Sequence, residues 1–439
     1  MKGGFRDMNR PTPVSVCLAL ALLLACATSI ATRPASAAEP ARAILDLDYN
    51  LDEIGPPELW QNSLDLYLPA TSGQADRNLK PVVIYVHGGG LMVGDKSNRM
   101  PDKVNLVNGL GYIFASVNYR LSPDITDGDL SDAFAPGRIR APDHISDVAE
   151  AIAWISRNIR GYGGDPDRLI LIGHSSGGQM VNLAGTDPSW LRGRWMSPDQ
   201  LLGVVSLDSD TFDVRSEADP DTSTASPSRR ISFWQVFGTP SEEAADPHWD
   251  SQSPLLFADP SDPPFLFVTQ SARPVRVANA GEMANRLGQD PSTTVVGVPY
   301  DHEGINTELG SPGDSSVETA RVSRFVQDLV QSAAPAGVKI VRRPASKVVT
   351  LVRRRATRKA TKRAKNKVRR KVSFAFRGTG RASGVQCRID RTGFSPCRSP
   401  KSYRLGPGSH TFRVRARYPS GRPGNERRVI FRIVARVRK

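Results

Sequence analysis

A mostly parallel α/β sheet covered by helices, followed by a small all-β module, is the architecture this 439-residue chain predicts. Three observations carry the expectation. Short apolar runs without alternation recur between longer amphipathic ones up to about residue 332. From Val372 the pattern changes to short alternating runs separated by turn residues. Between the two, the charge changes sign.

The apolar runs are 63–69 (SLDLYLP), 81–86 (PVVIYV), 112–119 (YIFASVNY), 168–173 (RLILIG), 201–208 (LLGVVSLD), 263–270 (PPFLFVTQ) and 293–300 (TTVVGVPY). Each is short, rich in branched residues and apolar on both faces, which is the pattern of a strand buried on both sides. The clearest helix is 143–160. Ile145, Val148, Ala149, Ile152, Ile155 and Ile159 recur there at spacings of three and four, and the pattern stops at the break GYGGDPDR. Strand–helix alternation of this length implies a parallel sheet covered by helices over residues 44–332. Hydrophobic residues make up 39%, enough for a sizeable core.

The net charge of +15 averages two opposite halves. Residues 333–439 hold 33 Lys and Arg against Asp390 and Glu426 alone, a net of +31, so the rest of the chain carries −16. Residues 333–371 are read as a basic linker that its own charges extend, and 372–439 as the β module, with runs VSFAF, VQCRID, SHTFRVRAR and RVIFRIV.

At the N-terminus, Lys2, Arg6 and Arg10 precede the apolar run 14–31, and ASAAEP follows, with Ala35 and Ala37 at the spacing of a signal peptidase site. Residues 1–38 are therefore expected to be an export signal, leaving Glu39 first and no transmembrane helix. LLAC ending at Cys26 is a weaker, lipoprotein-like alternative, and a run of this length also reaches the lower limit of an uncleaved anchor. Either way the product is secreted or attached to the envelope. Beyond the signal only Cys387 and Cys397 remain, an even pair suited to an oxidising compartment. A bridge between them would contribute roughly 3 kcal/mol in the chain-entropy model. Two cysteines without a histidine cluster speak against a structural zinc site, so no metal is expected.

Two glycine-rich motifs carry chemistry. Gly173-His174-Ser175-Ser176-Gly177 follows an apolar strand and opens a helical stretch. Gly-x-Ser-x-Gly in that context is a nucleophile elbow, with flanking glycines because side chains would clash in so sharp a turn. The helix after it aims its first amides at the site. Read alone, the motif is also satisfied by a plain glycine turn. His87-Gly88-Gly89-Gly90 follows another strand. It suits an oxyanion hole, where pre-aimed backbone N–H groups meet a developing negative charge. The candidate donors are the amides of Gly88, Gly89 and Ser176. A nucleophilic serine needs a base. Of His87, His144, His174, His248 and His302, only His302 follows the last apolar strand and precedes the last helix, in the order Ser then His.

With YVHGGG, GDKS, VNYRLSP, HISDVAEAIAWI, YGGDPDRLILIGHSSGG and DHEGINTELG, residues 62–332 resemble the α/β-hydrolase esterases of the carboxylesterase, feruloyl/acetyl-xylan esterase and kynurenine-formamidase-like group. The resemblance implies Ser175 as nucleophile, His302 as base, Gly88 and Gly89 in the oxyanion hole, no cofactor, and a small-molecule or carbohydrate-linked ester as substrate. The chain departs from that group after the seventh strand. The aspartate that usually orients the histidine is replaced in TQSARPV, where Arg273 stands at its position. Asp208 and, as an alternative, Asp210, both after the sixth strand, are the candidate replacements. Asp213 reads as a helix cap, and Asp301 is adjacent to His302 in sequence. Leu91 stands where the group often has Trp. The C-terminal module resembles bacterial immunoglobulin-like repeats, through the Cys387 to Arg417 stretch with its Cys-Arg-x-Asp, Phe-x-x-Cys-x-Ser-Pro and Gly-x-His-Thr-Phe pattern.

The expected function is a secreted serine esterase. Two alternatives share the sequence: a formamidase or amidase with the same machinery, and a non-catalytic envelope-binding protein on a hydrolase scaffold, the reading that Arg273 suggests. The basic tail fits an anionic cell-wall polymer. Nucleic acid is not expected, because aromatic residues are sparse among its cations.

Overall fold

The computed structural model describes residues 41–50, 59–70, 79–125, 128, 130–353 and 355–438. The expected export signal, with Cys17 and Cys26, lies outside them.

Eight strands form the main sheet: β1 (Arg42–Asp48), β2 (Ser63–Leu68), β3 (Lys80–Val86), β4 (Ile113–Val117), β5 (Gly164–His174), β6 (Leu201–Leu207), β7 (Phe265–Gln270) and β8 (Val295–Val298). Their order is β1-β2-β4-β3-β5-β6-β7-β8. β1, β2 and β4 pair antiparallel, and all pairs from β4 to β8 are parallel. The seven expected apolar runs are β2 to β8. β1 has no buried run to mark it: RAILDLD is a mostly exposed edge strand.

Period-two alternation divides the core between the two faces of this sheet. Val82, Ile84 and Leu171 pack on one side with Ile145, Val148, Ile152 and Ile155 of the helix α2 (Asp143–Asn158). Val83, Tyr85, Ile170 and Ile172 pack on the other with Val107 of α1 (Met100–Gly109) and with Val322, Val326 and Leu329 of a long helix near the body's C-terminus. The remaining helices that matter here are α3 (Ser176–Thr186), α4 (Pro227–Phe237), α5 (Pro274–Arg286), α6 (His302–Glu308), that long helix α7 (Glu318–Ser332) and α8 (Arg358–Lys367).

Glu318 opens α7 fully buried, and neither carboxylate oxygen has a hydrogen-bond partner. A helix N-terminus favours an anion by up to about 1 kcal/mol at an ordinary site. Leaving a buried charge unpaired costs several times that. Burial wins and, with Asp314 nearby, pushes the Glu318 carboxyl up to about 9. Folded protein therefore keeps a proton that the unfolded chain releases above pH ~4.5. This contribution to stability is complete below that pH and is lost as pH rises toward 9. Glu318→Gln is expected to raise the melting temperature by several degrees at pH 8 and to change it little at pH 4, as read by thermal melts at both.

The C-terminal region is a two-sheet β module. One sheet has the order β10-β16-β15-β12-β13, the other β14-β11-β9. The strands are β9 (Gly337–Arg342), β10 (Lys347–Val352), β11 (Arg370–Thr379), β12 (Gly384–Ile389), β13 (Ser395–Pro396), β14 (Lys401–Leu405), β15 (Gly408–Arg417) and β16 (Pro423–Val437). Phe374, Phe412, Phe431, Val414 and Ile433 fill the space between the sheets. Cys387 and Cys397 are joined by a disulfide, with Cα atoms 5.8 Å apart.

Two features differ from the sequence expectation. Residues 333–371 are not an extended linker. They supply β9, β10 and α8, because Val338, Ile340, Val348 and Val352 face the module core from within the cation-rich stretch. Nor does the module hang free. Asp167, at the entry to β5, is buried, and its carboxylate accepts from the Ser420 amide at 2.9 Å, the Ser420 hydroxyl at 3.0 Å and Arg422 Nε at 3.1 Å. Arg422 Nη2 also reaches Asp165 at 3.0 Å. These bonds dock the module on the start of β5. The module keeps a hydrophobic core of its own, distinct from those of the body.

Candidate active site

Ser175 follows the last residue of β5 and precedes α3, at φ 54° and ψ −121°. That backbone is strained for a side chain and turns the serine out of the sheet. The elbow closes only around glycine: a Cβ on Gly173 would lie 2.3 Å from the Gly177 carbonyl oxygen, and one on Gly177 would lie 2.3 Å from the Val86 carbonyl oxygen. The Ser175 amide donates to the Leu207 carbonyl at 2.9 Å, so the end of β6 fixes the turn.

His302 begins α6, and its Nε2 is 2.8 Å from Ser175 Oγ. Its Nδ1 is 2.6 Å from Asp208 Oδ2, at the end of β6. A carboxylate there keeps the ring proton on Nδ1, so Nε2 accepts from the serine hydroxyl. Asp208 has a left-handed φ of 46° and is almost fully buried. Thr269 Oγ1 and the Gln270 amide donate to its Oδ1, and Gln270 Nε2, Arg276 Nη1 and His302 donate to its Oδ2. Burial pushes its carboxyl up, but the bonds from His302 and Gln270 and the charge of Arg276 outweigh burial and hold it at about 2.

The structure brings Ser175, His302 and Asp208 together and leaves the other carboxylates apart from the ring. Asp210 bonds Arg276 Nη2 at 3.0 Å and Arg229 at 3.4 Å. Asp213 caps a short helix by accepting from Ser216 N. Asp301 caps α6 by accepting from Gly304 N at 2.7 Å. Arg273 is exposed at the N-terminus of α5.

The amides of Gly88, Gly89 and Ser176 donate to no acceptor among the described residues. Gly88 abuts the elbow: a Cβ on it would lie 2.9 Å from Ser175 Cβ. His87 stacks on Tyr119 at 4.5 Å, and its Nδ1 meets the Gly88 carbonyl at 2.8 Å, so it braces this loop. Burial lowers its basicity. His174 lies beside His302, with ring centroids 4.7 Å apart, and its Nε2 contacts the His302 carbonyl at 2.9 Å. Burial and the neighbouring imidazole hold it at about 3, so it is neutral at working pH. His144 is buried against Ser122, and His248 pairs with Asp246. Neither approaches Ser175.

A cavity of about 440 Å³ opens on Ser175 and His302. Leu91, Met92, Phe233, Val236 and Phe237 form its apolar wall, and Asp210, Arg229 and Arg276 its charged wall. Most of the first wall comes from α4, in the segment between β6 and β7 that covers the site. Sequence reasoning missed Arg276 and Gln270. Gln270 ends β7 beside the acid-bearing strand. Arg276 lies one helical turn beyond Arg273, and its guanidinium also approaches His302 Nδ1 at 3.4 Å. Only the prior placement of Asp208 gives either residue meaning.

A parallel sheet carrying a strained serine elbow after its fifth strand, a glycine loop after its third and a histidine after its eighth is an α/β-hydrolase. The BD-FAE family model matches residues 64–287, and the chain belongs to that family. Among curated proteins, it is 35% identical over 109 residues to a probable carboxylic ester hydrolase, LipM, of Mycobacterium tuberculosis, which covers 25% of this chain and 22% of that protein. It is 34% identical over 125 residues to Esterase-5B of Drosophila persimilis, covering 28% and 20%. The chain thus spans about a fifth of the length of these relatives. Among solved structures, a truncated form of a carbohydrate esterase from gut microbiota superposes with a TM-score of 0.49 at 18% identity, over 66% of this chain and 96% of that one.

Proposed function

We propose that the chain is a serine carboxylic ester hydrolase. The observation that carries this reading is the continuous hydrogen-bonded series from Ser175 Oγ through His302 to Asp208. Ser175 attacks the ester carbonyl while His302 Nε2 takes its proton. The amides of Gly88, Gly89 and Ser176 hold the tetrahedral oxyanion. His302 then returns the proton to the departing alcohol, and water releases the acyl group by the same steps in reverse order. Asp208 orients the imidazole and stabilises its charged form. With an acid beside His302, Arg273 no longer argues for an inert scaffold.

The substrate class follows from the cavity. Its volume and single apolar wall suit a short acyl group, and its charged wall suits a polar alcohol such as a carbohydrate. Hydrolysis of p-nitrophenyl esters of increasing acyl length tests both points. Activity is expected on the acetate and butyrate and is expected to fall steeply by the decanoate. No hydrolysis of any ester in the series would overturn the esterase reading, and a rise toward long chains would overturn the short-acyl assignment.

Export completes the reading. The N-terminal segment is taken as a signal cleaved before Glu39, and the cationic C-terminal module as the part that holds the enzyme to anionic cell-envelope polymer.

A further inference from the structure

We propose that a cleft between β9 and β16 is the site at which this module binds a linear polymer of repeating oxyanions. The proposal rests on the envelope reading above and gives it a location.

The cleft has a volume of about 700 Å³ and lies in the module rather than at the active site. Lys339, Arg342, Arg343, Arg427 and Arg428 line it, all exposed, and no carboxylate does. Among the described residues none of the five is paired with an acid: Glu426 is taken by Arg413, and Asp390 by His410. The sheet register adds to the imbalance. Lys339 stands opposite Arg377 across β9 and β11, and Arg428 opposite Arg413 across β15 and β16. Like charges directly opposite each other destabilise a sheet. A fold that tolerates these two pairs, each contributing one of the five cations to the same concave surface, focuses a positive potential there.

The chemistry of the lining selects among anions. Four of the five cations are arginine, whose planar fork pairs with phosphate or carboxylate through two hydrogen bonds. Val338, Ile340, Val341 and Val429 supply the floor. No aromatic side chain lines the cleft, so bases have nothing to stack on. A flexible chain of phosphates or carboxylates fits this surface, which offers nothing that would stack on or read a base. The clamp at Asp165 and Asp167 sets the consequence. It grips the start of β5, and Ser175 follows its end, roughly 25 Å away at the rise of a strand. The module docks at the end of the sheet opposite the active site, so a bound polymer leaves the catalytic cavity open.

Two full-length variants test the proposal. The first carries K339Q, R342Q, R427Q and R428Q. The second removes the same charge from α8, with R358Q, K359Q, K362Q and R363Q. Binding to long-chain polyphosphate and to polygalacturonate is measured by titration calorimetry at two salt concentrations, and melting temperature checks folding. Wild type is expected to bind at least one polymer, and the comparison of the two identifies phosphate or carboxylate as the preferred group. The cleft variant is expected to lose at least about tenfold in affinity and to reduce the salt slope by about three to four units, while the α8 variant stays within about threefold. Equal losses in both variants would overturn the cleft and leave the envelope reading standing. Failure of wild type to bind either polymer would overturn both. An oligonucleotide of matched charge that binds more tightly than polyphosphate would overturn the choice of ligand.

Discussion

Ser175→Ala is expected to reduce kcat for p-nitrophenyl acetate by at least about 10⁴-fold, because alanine removes both the attacking oxygen and the proton that His302 takes. The same variant is expected to lose covalent labelling by a fluorophosphonate probe. Its fold should not change. The elbow is held by the close approach of Gly173 to Gly177 and of Gly177 to β3, and by the Ser175 amide bond to Leu207, none of which uses the hydroxyl. Alanine accepts the same φ of 54° at much the same strain. The near-ultraviolet circular dichroism and melting temperature should therefore match wild type. A variant that stays folded and still takes the probe would place the nucleophile on another residue.

The interior strands and the motif residues were legible because burial and chemistry both leave marks on sequence. Val82 to Val86 and Leu169 to Ile172 read as strands because both faces of each are covered, and covered faces must be apolar. Ser175 and His302 read as partners because an elbow needs glycines at fixed offsets and because few histidines were available. What the sequence hid has the opposite character. β1 is an exposed edge, and β9 and β10 carry their apolar residues inside a run of cations whose charge dominates any average. The clamp at Asp167 joins it to a serine 253 residues away and an arginine 255 away, neither in a motif. Arg276 is a lone arginine in the first turn of a helix, and its value comes from Asp208 and Asp210 on a different strand end. Contacts of this kind are properties of the assembled fold, and no local pattern reports them.

The acid of the triad lies between these cases. The sequence puts Asp208 first and Asp210 as its alternative, both following β6 within three residues. The structure separates them by direction: Asp208 turns inward, where β7 and α5 surround it, and Asp210 faces the cavity and the two arginines. Asp208→Asn is therefore expected to lower kcat by two to four orders of magnitude. The amide cannot stabilise the imidazolium, and its NH₂ group can stabilise the wrong ring tautomer, with the proton on Nε2 facing Ser175. Residual activity should survive, because the oxyanion amides and the cavity remain. Asp210→Asn is expected to stay within about tenfold of wild type in kcat and to change KM instead, since that residue lines the cavity and reaches His302 only through Arg276. Arg273→Asp restores a carboxylate at the more usual position, but on an exposed helix start away from the ring, so no gain in activity is expected from it. Steady-state kinetics on the three variants, with melting curves to confirm folding, decide the assignment. Near wild-type kcat in Asp208→Asn would reduce the site to a Ser–His pair. A larger loss in Asp210→Asn than in Asp208→Asn would move the acid to the cavity wall.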